Sequence, residues 1–145
     1  MKRDEDLVIV EQGFDRSASD VWNAITDIVE MRKWYFENIP AFKAESGFRT
    51  QFPVESGDRV FLHLWEVTEV IPRRKVVYNW KFAELEGECS SSFEVMGDDL
   101  SARLTVIIRV RKDFSDDIPE FTRESCIGGW NYFINDRLKT YLDGS

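Results

Sequence analysis

Histidine is nearly missing from this chain. His63 is the only one in 145 residues, and cysteine is scarcely commoner, with Cys89 and Cys126 far apart in sequence. Without a C-x-x-C spacing, and with a single imidazole to join the thiols, a zinc site is not expected. No other metal and no cofactor is expected either. The two cysteines read as small free residues in a reducing compartment, not as a disulfide. Cations are also short: 19 Lys and Arg face 27 Asp and Glu, a net charge of -8 that repels phosphate backbones. Neither nucleic acid nor a membrane is an expected partner. Long apolar runs are absent. The amino terminus, MKRDEDLVIV, offers only Leu7–Val10, far below a signal-peptide core or the roughly 20 residues of a membrane span, so the expected location is cytoplasmic. No G-x-S-x-G turn surrounds Ser90–Ser92, and no Gly-rich phosphate loop, H-E-x-x-H or EF-hand spacing occurs. No reaction is legible, and a non-enzyme is expected. No repeat, low-complexity tract or linker divides the chain, so residues 1–145 read as a single domain.

Apolar mass is what the chain does have. It is 43% hydrophobic, with five Trp and eleven Phe. A folded chain of this size removes about 70% of its extended surface from water, enough for a core without disulfides or metal. Disorder is excluded on composition. LVIVEQGF (7–14) is a β-rich run. Ser17 followed by Asp20 resembles a capping box, and Val21, Trp22, Ile25 and Ile28 recur at helical spacing, which predicts a helix near 18–27. IVEMRKWYF places Ile28, Met31 and Trp34 or Tyr35 on one face, a second short helix that ends before Pro40.

From Phe42 to Arg111 the period changes to that of strands: FKAES, FRTQFPV, RVFLHLWEVTEVI, KVVYNWKF, ECSSSFEVM and LSARLTVIIRVR. Between them stand Ser46-Gly47, Ser56-Gly57-Asp58, Pro72-Arg73-Arg74, Glu86-Gly87 and Gly97-Asp98-Asp99, turn chemistry that makes neighbouring strands antiparallel. The acidic pairs Asp98-Asp99 and Asp116-Asp117 read as loop caps and solvated surface. In the final strand Leu100, Ala102, Leu104, Val106, Ile108 and Val110 form an apolar face opposite Arg103, Arg109 and Arg111. The last segment, SCIGGWNYFINDRLKTYL (125–142), carries an apolar stripe of Ile127, Trp130, Phe133, Ile134, Leu138 and Tyr141, and predicts a long helix laid on the sheet.

FDRSASDVWNAIT, RKWYF, WEVTEVIPRRKVVYNWKF and GGWNYFINDRLKTYL resemble, in this order, the homologues of the activator of heat-shock protein 90 ATPase, within the START and Bet v 1-like (SRPBCC) superfamily. The match runs from about Val8 to Leu142. The resemblance implies an α+β helix-grip fold: a curved antiparallel sheet of about six or seven strands around a long C-terminal helix, with two short helices after strand 1. It also implies a space between helix and sheet that commonly holds an apolar ligand.

Gly128 and Gly129 oppose the helix by roughly 2 kcal/mol together. Two explanations stand: they let the helix approach its neighbours closely, or their missing side chains leave a void for a ligand. The leading expectation is non-catalytic binding of a small hydrophobic molecule, in a stress- or chaperone-related setting. The alternatives are a co-chaperone-like protein-interaction module with a filled interior, and a cyclase- or hydrolase-type enzyme that uses the cavity. Candidate cavity residues are Trp34, Phe52, His63, Trp65, Tyr78, Trp80, Phe93, Ile127, Gly129, Trp130, Phe133 and Ile134. His63, with no carboxylate or nucleophile beside it in sequence, reads as a hydrogen-bonded strand residue ahead of a catalytic base. Asn79 is a second polar group that could orient a ligand.

Overall fold

In the computed structural model, which describes residues 1–144, the chain runs β1 (Val8–Phe14), α1 (Ala18–Thr26), α2 (Ile28–Trp34), β2 (Arg49–Ser56), β3 (Arg59–Ile71), β4 (Lys75–Phe82), β5 (Glu88–Gly97) and β6 (Ala102–Lys112). A 3-10 turn at Pro119–Phe121 then leads into α3 (Arg123–Trp130), which continues through a π-helical stretch (Asn131–Leu138) into α4 (Lys139–Asp143). The strands form one curved antiparallel sheet in the order β1-β6-β5-β4-β3-β2. β2 to β6 are successive hairpins, and β1 closes on β6 from Val8 opposite Ile108 to Phe14 opposite Ala102. This is the helix-grip arrangement.

Local chemistry starts each helix. Ser17 Oγ accepts the Asp20 amide at 3.0 Å, and Asp27 Oδ1 accepts the Val29 amide at 2.9 Å, so α1 and α2 each begin on a side-chain cap. Alternation sets the sheet faces: Phe61, His63, Trp65 and Val67 on β3, Val76, Tyr78 and Trp80 on β4, and Leu104, Val106 and Ile108 on β6 are all buried. The C-terminal helix lies against β1 and α2. Asn135 Nδ2 donates to the Glu11 carbonyl at 2.9 Å and Arg137 Nη2 to the Lys33 carbonyl at 2.8 Å, which fixes its position over both. No helix among the described residues is long and apolar enough to cross a membrane.

Four sequence expectations change. FKAES is not a strand. Phe42 turns inward to meet the rings of Trp65 and Tyr78, and the backbone reverses at Gly47, whose φ of 92° is left-handed, so this segment plugs the sheet instead of extending it. The sheet therefore has six strands. Leu100 is 81% exposed and precedes β6, because Asp98 Oδ1 accepts the amides of Leu100 and Ser101 and folds that stretch into the turn. The last helix begins at Arg123 instead of residue 125, since Thr122 Oγ1 accepts the Ser125 amide at 3.2 Å and is its cap. Its buried stripe is Trp130, Ile134, Leu138 and Leu142, with Tyr141 only half-buried.

The stripe's interval of four has a cause in the helix geometry. Four residues of α-helix advance about 400°, so an i, i+4 row drifts around the axis. A π turn closes i→i+5 and rotates less per residue. Inserting it between α3 and α4 offsets that drift and keeps the row facing inward.

Candidate functional site

Between the C-terminal helix and the sheet lies a cavity of about 150 Å³. One wall is a single face of the helix: Ser125, Cys126, Gly129, Trp130 and Phe133. These positions fall 3 to 4 apart or adjacent, as one helical face requires. The opposite wall is Trp80 and Phe82 of β4, Cys89 of β5 and Ile108 of β6, held side by side by strand pairing that sets Trp80 opposite Cys89. Phe36, just past α2, closes one side. Phe114, Glu120 and Phe121, from the acidic loop after β6, close the other together with Met1.

Gly129 supplies part of this space. A Cβ placed there meets nothing within 4 Å, so neither glycine is needed for close approach of backbones. Gly128 is equally free of neighbours but is exposed and does not line the cavity, so the two glycines differ in role.

The interior carries little charge. Burial pushes the Cys126 thiol up to about 11 and raises that of Cys89 as well, so both are protonated at neutral pH. Among the described residues, no lysine, arginine or histidine lines the walls. The Met1 ammonium donates to the Phe121 carbonyl at 2.8 Å. Glu120 is the ionised lining side chain. Its own backbone amide, the Ser56 hydroxyl (2.9 Å) and the Arg59 guanidinium (3.2 Å) hold its carboxyl below the usual range. Half-buried Glu120 and exposed Ser125 mark the rim.

Of the residues singled out from sequence, Trp80, Gly129, Trp130 and Phe133 line this space. Trp34, Phe52, His63, Trp65, Tyr78 and Phe93 are buried in the adjoining aromatic core. There Trp34 stacks on Tyr35 at 4.5 Å and donates its indole N–H to the Ala24 carbonyl at 2.8 Å. Phe52 meets Trp65 edge-on at 4.8 Å, and Phe93 stacks on Tyr78 at 5.5 Å. Ile134 is buried and Ile127 half-buried, both packed into the core beside the cavity. Asn79 lies on the opposite face of β4 from Tyr78 and Trp80, away from the cavity.

His63 is enclosed by the rings of Phe36, Phe52, Trp80 and Phe82. Its Nδ1–H donates to the Phe61 carbonyl at 3.0 Å, and burial lowers its pKa to about 4, so the ring is neutral. It has no carboxylate partner among these contacts.

Sequence reasoning missed Met1, Phe36, Phe82, Cys89, Ile108, Phe114, Glu120, Phe121, Ser125 and Cys126. One signal was available: Phe114 and Phe121 bracket the acidic loop FSDDIPEF, and an apolar residue at each end of a polar loop marks where that loop is anchored.

No curated protein matches the sequence. Among solved structures, DynU16, a protein of the dynemicin biosynthetic locus, is 27% identical with a TM-score of 0.74 over 96% of this chain and 48% of its own. This chain thus spans about half the length of DynU16. Mll3558 from Rhizobium loti is 16% identical, with a TM-score of 0.79 over 94% of this chain and 96% of its own. MLL2253 from Mesorhizobium loti is 21% identical, with a TM-score of 0.73 over 97% and 98%. The family described as Activator of Hsp90 ATPase homolog 1-like protein matches residues 15–143, from just before α1 to the end of α4, and the chain belongs to it.

Proposed function

We propose that this protein binds a small apolar molecule between the sheet and its C-terminal helix, without transforming it. The observation that carries this reading is Gly129: a helix-weakening residue whose missing side chain opens into an aromatic-lined space. A helix under selection for stability alone would carry alanine or a larger residue there, since nothing obstructs one. An apolar concavity with a few polar groups at its edge is the usual form of a small-molecule site. That DynU16 belongs to a biosynthetic locus is in keeping with a small-molecule ligand.

A protein-docking role has less behind it. The exposed apolar side chains Ile9, Val29, Val60, Ile71, Leu85, Met96, Leu100 and Tyr132 are spread over β1, α2, the two ends of β3, the β4–β5 turn, the β5–β6 hairpin and the C-terminal helix, and only Met96 and Leu100 flank the same turn. Native mass spectrometry of protein purified from its own host tests the proposal. A retained small molecule, displaced by an apolar fluorescent probe and missing from Gly129→Leu, is the expected result. A bare chain that takes up no probe would overturn it.

A further inference from the structure

We infer that the ligand is a molecule of one or two aromatic rings that carries no negative charge and bears a hydrogen-bond donor, such as a phenol or an indole, with the donor directed to Glu120. This deepens the binding proposal and rests on it. Size comes first. A cavity of about 150 Å³ is the scale that admits benzene, while drug-sized ligands occupy clefts of about 300–1,000 Å³. A sterol or a long acyl chain would have to protrude from it.

Shape comes from the walls. Trp80 meets Trp130 at 5.7 Å and 71°, Trp130 meets Phe133 at 6.3 Å and 69°, and Phe36 meets Phe133 at 5.0 Å and 67°. Edge-to-face packing of this kind is favourable beyond the area it buries, and a planar ring extends it where an aliphatic chain does not.

Charge settles the rest. Both thiols are protonated, and among the described residues no lysine, arginine or histidine lines the walls; the nearest guanidinium, that of Arg59, is paired with Glu120, whose carboxylate disfavours a second anion beside it. The ammonium of Met1, which also lines the space, donates to the Phe121 carbonyl, and the Glu120 carboxylate on the same walls offsets its charge. An ionised carboxylate only accepts hydrogen bonds, at about four lone-pair sites. Ser56 Oγ and Arg59 Nη1 each occupy one oxygen of Glu120, so acceptor capacity is left for a donor arriving from the cavity.

The experiment is a titration of the full chain with indole, 4-methylphenol, benzene, benzoate and decanoate, read by calorimetry and by the shift in melting temperature. Indole and 4-methylphenol should bind, benzene more weakly, benzoate and decanoate not measurably. Gly129→Leu should abolish indole binding, Gly129→Ala should weaken it, and Gly128→Leu, on the exposed side, should leave it unchanged. Glu120→Gln should weaken indole roughly tenfold while benzene stays within about twofold. Gly129-dependent binding of benzoate or decanoate as tight as that of indole would overturn the ligand class and leave the cavity proposal standing. Indole affinity unaltered by Glu120→Gln would overturn the donor contact. No binding of any of the five to the wild type would overturn both this inference and the binding proposal on which it rests.

Discussion

The hydroxyls of Tyr35 and Tyr78 lie 2.8 Å apart in an interior closed to solvent, one brought by the end of α2 and the other by β4. Burial, and for Tyr35 the neighbouring phenol as well, raises both above the ordinary tyrosine range, so neither ionises while the protein is folded. Removing one hydroxyl strands the other without a partner. Tyr35→Phe and Tyr78→Phe should each cost about 1–3 kcal/mol, whereas the double substitution, which removes both polar groups, should cost less than the two single losses added. Urea denaturation of the four proteins measures this coupling, and strictly additive losses would contradict it.

His63 makes stability depend on pH. Its imidazole titrates at about 4 in the fold against 6.5 ordinarily, because burial disfavours the cation. The unfolded chain therefore binds the extra proton first. The stabilisation is complete above 6.5 and is lost as pH falls from there toward 4, by about 2 kcal/mol between pH 7 and pH 5. Denaturation curves at the two pH values should show this difference in the wild type. In His63→Gln it should shrink to a few tenths of a kcal/mol.

Ser91 is fully buried on β5, and its hydroxyl has no hydrogen-bond partner among the described residues. A buried hydroxyl without a partner keeps its desolvation cost and returns nothing. Ser91→Ala, which removes one atom from a strand facing Tyr78 and Ile108, should raise stability by about 1 kcal/mol. A lower melting temperature for this variant would show that the hydroxyl is satisfied in solution.

Gly87 shapes the rim of the cavity from outside it. Its φ is 113°, and a Cβ there would overlap the Phe114 ring. Gly87→Ala combines backbone strain with displacement of a cavity-closing ring, for a loss of roughly 2–4 kcal/mol. Phe114→Leu should cost about 1–2 kcal/mol in packing, and with the Gly87→Ala background it should cost less, since the overlap that the alanine creates is relieved. Thermal melts of the single and double variants check this order.

Much of the fold was written in local pattern. RVFLHLWEVTEVI and KVVYNWKF matched the bounds of β3 and β4, and alternation holds along β4 and along β3 as far as Val67, where a bulge shifts the register; a strand's two faces are decided by neighbours two residues apart. The Ser17 cap was equally readable, since it depends on one side chain and an amide three residues on. FKAES misled for the same reason: its alternation is real, but Phe42 is claimed by Trp65 and Tyr78, residues more than twenty positions away. The cavity is non-local throughout. Cys89 and Cys126 face one cavity from opposite walls only because β5 passes beneath the C-terminal helix, and nothing in their spacing joins them. The glycine pair was visible in sequence, but which of the two opens inward depends on the rotation of the helix about its axis, and that rotation is set by Trp130, Ile134, Leu138 and Leu142 packing into the core across the π-helical stretch. Sequence determined the elements and their faces, because these follow from neighbours a few residues away. Tertiary packing decided where the faces meet, and with that the place where space was left between them.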